Sequence, residues 1–565
     1  MDGTEPQEQL VAFLESPASY PHRPAEVRAI QTHISWVFIA SPFVFKVKKP
    51  VNLGFLDFST LEKRYHFCQR EIELNRRLCP EIYLDVVPIY EADSGFAFKP
   101  PGEIVEYAVK MKELPHGWPD RRSLVEGGFL NELLEKNVVG EKEIDRVVSV
   151  LHRFYQTETP TPEIEQWGTP EKLKISTDEN FTQAEPFIGK TISPAAFEAI
   201  RHYTNQFYSV NENLFRVRIQ HHRILDCHGD LRLDHVHLTP EATTIFDCIE
   251  FNDRFRFIDI ANDLAFLAMD FDFKGRNDMG NLFLRNAARE LGDAGMLKVA
   301  NFYKCYRAFV RGKVESIQAT EKETANPQEH EQEAACYFQL ALRYAITGSA
   351  PLILVVMGGV GAGKSTIAKR LASDLDWPLF SSDETRKILA GVALAQRTPS
   401  ELRAKIYSAR MTQKTYRKLL EDGLAAIGCC SRGRRPRQFQ PHNGVILDAT
   451  FSTRALRKFL RDECKKANVS IQFVELEADP DEIKNRLKLR DEKTAEASDA
   501  RLEDFEKLSA AYQPPSELAP DLISISTAIS ISDAVKAILL CLVKKSASLT
   551  NSLGGKESSA AEGEF

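Results

Sequence analysis

Residues 352–366 read LILVVMGGVGAGKST, and the rest of the second half of the chain takes its place from them. Residues 352–357 are an unbroken apolar run, the pattern of a parallel strand buried on both faces. The run enters Gly358, Gly359, Val360, Gly361, Ala362, Gly363, Lys364, Ser365 and Thr366, which is G-x-x-x-x-G-K-S/T directly after a strand. The glycines let the loop turn its N–H groups inward onto phosphate oxygens, at the positive end of a helix beginning near Lys364. There Lys364 reaches the β and γ phosphates and Ser365 ligates magnesium, so ATP and Mg2+ are the expected ligands.

Downstream pieces fall where phosphoryl transfer needs them. Residues 377–380 read as a second strand leading to Ser381, Ser382, Asp383, Glu384, Thr385 and Arg386. Asp383, at a strand's C-terminal end, is placed to take the proton of an attacking hydroxyl, and Arg386 to hold an anionic group of the acceptor. The competing reading is a helix N-cap and a solvated arginine. Residues 445–447 form an apolar strand ending at Asp448, the Walker B position that holds magnesium. A strand at 471–476 leads into a helix carrying Arg486 and Arg490, four apart and so on one face. They suit a lid over the triphosphate, or simply a solvated charged helix. A strand at 522–526 and a helix at 532–543 complete a doubly wound α/β unit with a parallel sheet. Before the Asp448 strand, residues 431–439 carry four arginines, read either as a polyanion contact or as a solvated insertion.

The region 351–543 resembles the small P-loop kinases that phosphorylate hydroxyl groups, such as gluconate kinase, adenylylsulfate kinase and the kinase half of polynucleotide kinase. The resemblance rests on the P-loop, Asp383 with Arg386, the Asp448 strand end and the two lid arginines. It implies ATP-dependent transfer to a hydroxyl without naming the acceptor.

The first half carries a different signature. Residues 228–235 read HGDLRLDH, and an apolar strand at 243–246 is followed by Asp247. An acid in a loop and a second acid after the next strand is the pairing that kinase-like transfer uses, one as base and one for magnesium. The block resembles the aminoglycoside phosphotransferase and choline kinase family, whose loop reads H-G-D-x-x-x-x-N. Carried over, Asp230 is the catalytic base and Asp247 the metal ligand, while His235 stands where the family has its metal-binding asparagine. Asp259 and Asp263 match acids that brace the loop. The family also pairs a small-lobe lysine with a helix glutamate. Lys46 and Lys48 share one face of a strand, the helix at 61–78 offers Glu71 and Glu73, and Lys46 with Glu71 is the preferred pair. Residues 107–115 then take the place of the hinge that meets adenine.

The chain has 565 residues, 80 Asp+Glu against 73 Lys+Arg, a formal net charge of -7, and 43% hydrophobic residues. That composition excludes a collagen-like, wholly disordered or disulfide-rich miniature protein. The length predicts about three to five folding units, and the mildly acidic balance makes a nucleic-acid partner unexpected. Ten scattered cysteines without a C-x-x-C pair read as reduced thiols. No run reaches the 18 or so apolar residues of a membrane span, and residues 1–10 lack a signal-peptide pattern, so a cytoplasmic location is expected.

The expected organisation is a bilobal, protein-kinase-like α+β region over 1–330, with a small lobe at about 25–115 and a large lobe at about 116–320. A polar run at 318–332 marks its end, a linker helix spans 331–350, the P-loop domain spans 351–543, and a Ser/Gly/Glu-rich tail at 544–565 is expected to be disordered. The whole arrangement resembles a family of bacterial fusions of an aminoglycoside phosphotransferase-like region with a P-loop kinase. It implies a two-site phosphotransferase acting on a small hydroxylated metabolite. Two other readings stay open: a P-loop kinase regulated by an ATP-sensing first half, and a kinase for nucleic-acid ends.

Overall fold

The computed structural model describes residues 4–93, 95–114, 127–321, 324, 326–394, 398, 400–428, 443–491 and 499–554. The chain packs as two units, one comprising 1–175 and 212–300, the other 176–211 and 301–565.

The first unit opens with a six-stranded antiparallel sheet. In spatial order its strands are Arg28–Gln31, Ser35–Ala40, Phe43–Lys48, Glu103–Lys112, Tyr83–Ala92 and Gly95–Ala97. In Phe43–Lys48, Phe45 and Val47 point into a core with Leu14, Tyr20 and Phe38. The pleat therefore turns Lys46 and Lys48 to the other face, where the helix Leu61–Asn75 packs. Thr60 caps that helix by accepting from Lys63 N–H at 3.3 Å; it ends at Asn75, three residues before its expected end. The helix Asn277–Glu290 packs on Glu141–Thr157 and on Ile260–Phe273, residues 260–272 being buried throughout. Two short pairings, Ile224–Asp226 with Phe257–Asp259 and Val236–Leu238 with Thr243–Ile245, hold the loop between them.

The second unit is built on a five-stranded parallel sheet in the order Leu379–Ser381, Gly444–Asp448, Leu352–Gly358, Ser470–Glu477, Ile523–Ser526. The central strand is buried along its whole length, as its apolar run predicts. Register brings Ser381 opposite Asp448, Asp448 opposite Val356, and Leu476 opposite Gly358. The C-terminal ends of the strands thus share one edge.

The division between units differs from the expected boundary at 330. Helix Pro194–Val210 buries Phe197, Ile200, Tyr203 and Phe207, and it packs on the final helix and on Pro327–Thr347, all within the second unit. The expected linker helix is the body of Pro327–Thr347, whose Tyr337, Phe338, Leu340 and Tyr344 are core residues. Polarity along a chain marks the loop between the helices ending at Gln318 and starting at Pro327. It does not reveal which unit covers an apolar helix face. The final helix runs Ile531–Gly554, into the stretch expected to be a tail, and Lys545 Nζ donates to Gln472 Oε1 at 3.1 Å. Residues 555–565, the arginine-rich stretch 431–439 and the end of the expected hinge at 115 lie outside the described residues.

Candidate active sites

At the C-terminal edge of the parallel sheet, Gly358 has φ +141° and Gly361 and Gly363 have φ +72° and +89°, so the loop curls back over the helix Lys364–Leu375. A Cβ on Gly358 would lie 2.4 Å from the Leu476 carbonyl oxygen, which requires glycine there. Lys364 Nζ donates to the Gly359 carbonyl at 2.8 Å, across the space the loop encloses. Burial lowers the Lys364 pKa, although Asp448 and Asp383 oppose the shift. Ser365 Oγ donates to Asp448 Oδ2 at 2.6 Å. Burial raises the Asp448 pKa; Lys364 and Ser365 pull it down, while Asp383 and Glu384 add to the rise. Lys364, Ser365, Asp383, Glu384 and Asp448 therefore form one electrostatic cluster, and Ser365 with Asp448 is a donor pair fit to hold a divalent cation.

Ser381, not Asp383, caps the helix Ser382–Ala390; its hydroxyl accepts from Asp383 N–H at 3.3 Å. The Asp383 carboxyl is thus not consumed as a cap. Arg386 is buried, donates to Ile406 O at 3.0 Å and Thr412 Oγ1 at 3.2 Å, and sits 4.6 Å from the centre of the Tyr407 ring. Arg486 donates to Thr527 Oγ1 and O, both at 3.0 Å, and its Nη1 lies 3.6 Å from where a Cβ on Gly363 would be. Arg490 is close enough to Lys364 to depress its pKa.

Beside Arg386, Asp499 accepts from Thr398 N–H at 2.9 Å and from Tyr407 hydroxyl at 3.1 Å, and it faces the buried Lys387 at 3.9 Å. Tyr407 and Asp499 carried no signal in the sequence, because their meeting joins segments about ninety residues apart. A cavity of about 640 Å³ opens elsewhere, beside Arg461, Lys465 and Ser470 at the opposite end of the strands. The chemistry converges on the P-loop edge instead.

In the first unit, Glu71 is fully buried and divided between two lysines: Oε1 lies 2.9 Å from Lys46 and Oε2 2.7 Å from Lys48. Lys46 also reaches Asp247 Oδ1 at 2.6 Å, and Lys48 pairs with Glu250. Glu73 instead pairs with Arg70 at 2.9 Å. Burial works against the charge on Lys46, but Asp247, Glu71 and Glu250 outweigh it and raise its pKa well above the ordinary value. Burial likewise opposes ionisation of Asp247, and Lys46 and His235 overcome it, holding that carboxyl far below the usual range. Glu250, three residues past Asp247, had no visible partner in the sequence.

The loop at 228–235 is held from beneath. Asp263 accepts from the N–H groups of His228 and Gly229 and from the Tyr155 hydroxyl, each at 2.9 Å. Asp259 is gripped by Arg218 at 2.6 and 2.9 Å. Asp230 keeps its side chain 30% exposed and 3.6 Å from His235 Nδ1. Elsewhere among the described residues Glu315, His330 and Glu333 come together, but Glu315 is already paired with Arg311 and with His330 at 2.7 Å.

Residues 353–515 match the family AAA_33, an AAA domain. Over 431 residues the chain is 30% identical to Rv2004c of Mycobacterium tuberculosis (strain ATCC 25618 / H37Rv), covering 76% of this chain and 80% of that protein. Mb2027c of Mycobacterium bovis matches with the same identity and coverage. The chain belongs to the family of these mycobacterial proteins. Among solved structures, a gluconokinase from Sinorhizobium meliloti 1021 is 16% identical, covering 37% of this chain and 98% of that one with a TM-score of 0.25. The Mycobacterium tuberculosis APS kinase CysC in complex with AMPPNP and APS is 15% identical over 34% of this chain and 98% of that one, TM-score 0.25. Shikimate kinase from Aquifex aeolicus is 16% identical over 36% and 99%, TM-score 0.21.

Proposed function

We propose that the chain is an ATP-dependent phosphotransferase with two nucleotide sites, the second unit transferring the γ-phosphate of ATP to a hydroxyl of a small metabolite. The observation that carries this reading is the convergence of Lys364, Ser365, Asp448 and Asp383 at one edge of the parallel sheet. The loop N–H groups and Lys364 bind and orient the phosphates, Lys364 exchanging the Gly359 carbonyl for phosphate oxygens. Ser365 and Asp448 would hold magnesium, which when bound neutralises charge on the β and γ phosphates. Asp383 takes the proton from the acceptor hydroxyl. Arg486 and Arg490 face the loop from the helix Pro480–Asp491 and offset charge developing on the transferred group. Arg386 orients the acceptor.

The first unit is read as aminoglycoside phosphotransferase-like. Lys46, positioned by Glu71, holds phosphate oxygens; Asp230 is the base; Asp247 and His235 are the metal side of the site. A sensor role for this unit is the second reading, favoured by the imidazole of His235 in a place where an amide oxygen suits magnesium better.

The test is transfer of label from γ-labelled ATP into a bacterial metabolite extract by the full-length chain. Lys364→Ala is expected to abolish the second unit's product, and unchanged turnover would defeat the P-loop assignment. A product that survives Lys364→Ala and disappears when Asp230→Asn is added establishes a second active site. Its absence, with ATP still bound to the first unit, supports the sensor.

A further inference from the structure

Neither candidate active site uses the groove beside the helix Arg454–Lys466 of the second unit. That helix carries Arg454, Lys458, Arg461 and Lys465 at offsets of four, three and four, so all four lie on one face. They are exposed and span about 16 Å of helix. A cavity of about 640 Å³ runs along them, bounded on its other side by residues 468–471 and 517–518. The opposite face of the helix is buried, with Leu460 and Cys464 in the core against the parallel sheet.

The charge of this groove is not balanced from within. Of its two acids, Glu517 is already held by the buried Arg457, which donates to it at 2.6 and 3.2 Å. Asp462 is the remaining acid, set against four cations. Arg461 makes one long bond, 3.5 Å to the Glu517 carbonyl oxygen, and Lys458 and Lys465 have no partner among the described residues. Asn468 and Ser470, just past Lys465, add uncharged side-chain donors to the lining. This positive excess belongs to a chain whose formal net charge is -7, so it marks the groove and not the surface at large.

We propose that this groove binds a small molecule carrying several linked phosphates, through residues that neither candidate active site employs. Lysine and arginine hold phosphate oxygens by charge-assisted hydrogen bonds, the strongest kind available to a side chain in water. The volume falls within the about 300–1,000 Å³ of small-molecule sites. A nucleic-acid strand fits less well. None of the lining residues is aromatic, so a base finds no ring to stack on, and Asp462 and Glu517 oppose a continuous row of phosphates. A short oligophosphate places its charges on the cations and avoids both acids.

The test is calorimetric titration of the full-length chain with inorganic tripolyphosphate, in a Lys364→Ala background that weakens phosphate binding at the P-loop. Binding is expected, and Lys458→Gln with Lys465→Gln should weaken it about tenfold or more, because two charge-assisted contacts are lost. Lys458→Arg with Lys465→Arg keeps the charge and should retain most of the affinity. Tripolyphosphate held by the first unit is common to all these variants and cancels from the comparison. Each variant is checked for an unchanged melting temperature, and Arg461→Gln replaces the double change should that one melt early. Equal affinity in the Gln variant and its parent, or no binding at all, overturns the inference. So does a single-stranded oligonucleotide or a poly-glutamate peptide that binds more tightly than tripolyphosphate with the same dependence on Lys458 and Lys465, since the groove would then serve nucleic acid or an acidic protein.

Discussion

Lys46 and Lys48 sit two residues apart on one face of a strand, yet their surroundings separate their roles. Lys48 is fully buried between Glu71 and Glu250, while Lys46 reaches Asp247 at the open side. Lys48→Met strands the buried Glu250 and takes one of Glu71's two lysines, and breaking such a network costs about 3–5 kcal/mol. A marked fall in the denaturant midpoint is expected, partly recovered by adding Glu250→Gln; an unchanged midpoint would show that the pairing is worth nothing. Asp448 makes the opposite prediction. Burial raises its pKa in the folded chain, so the folded state binds its proton more readily than the unfolded state does. Stability then falls as pH rises from the unfolded pKa through the folded one, and at neutral pH the ionised group is a cost. Asp448→Asn should raise the melting temperature of the nucleotide-free protein at pH 7, with the gain shrinking toward pH 4, while abolishing transfer. A lower melting temperature at pH 7 would contradict this.

Among the elements, the strand Leu352–Gly358 and its loop form one unit of function, because the glycine that ends the strand also starts the phosphate cradle. Gly358→Ala places a methyl group 2.4 Å from the Leu476 carbonyl oxygen at φ +141°. The neighbouring strand or the loop must move, and strain of this kind costs about 1–3 kcal/mol. Calorimetric titration should show weakened ATP binding at this site together with a lower melting temperature. Wild-type affinity would mean that the loop tolerates the shift.

For the molecule as a whole, the P-loop region is not a module that begins at residue 351. The final helix buries Val535, Ile538, Leu539 and Leu542, and Pro194–Val210 and Pro327–Thr347 pack against it. Each large apolar side chain left uncovered forfeits about 1.5–3 kcal/mol, so a fragment spanning 351–554 is expected to aggregate or to bind a hydrophobic dye. The full chain should melt without such exposure. A monomeric fragment with a sharp melting transition would refute that dependence.

Periodicity and motif spacing determined the parallel sheet, the P-loop, Asp448 at a strand end, and the loop at 228–235 with Asp247 after it. These are local patterns: an apolar run, a glycine spacing, an acid at the end of a strand. Tertiary structure alone decided that Glu71 serves two lysines, that Glu250 and Asp499 take part, and that helix 194–210 belongs with a sheet beginning more than a hundred residues later. Each depends on side chains far apart in sequence meeting where water is excluded. Such meetings are selected by the packing of whole faces, which no short window of sequence encodes.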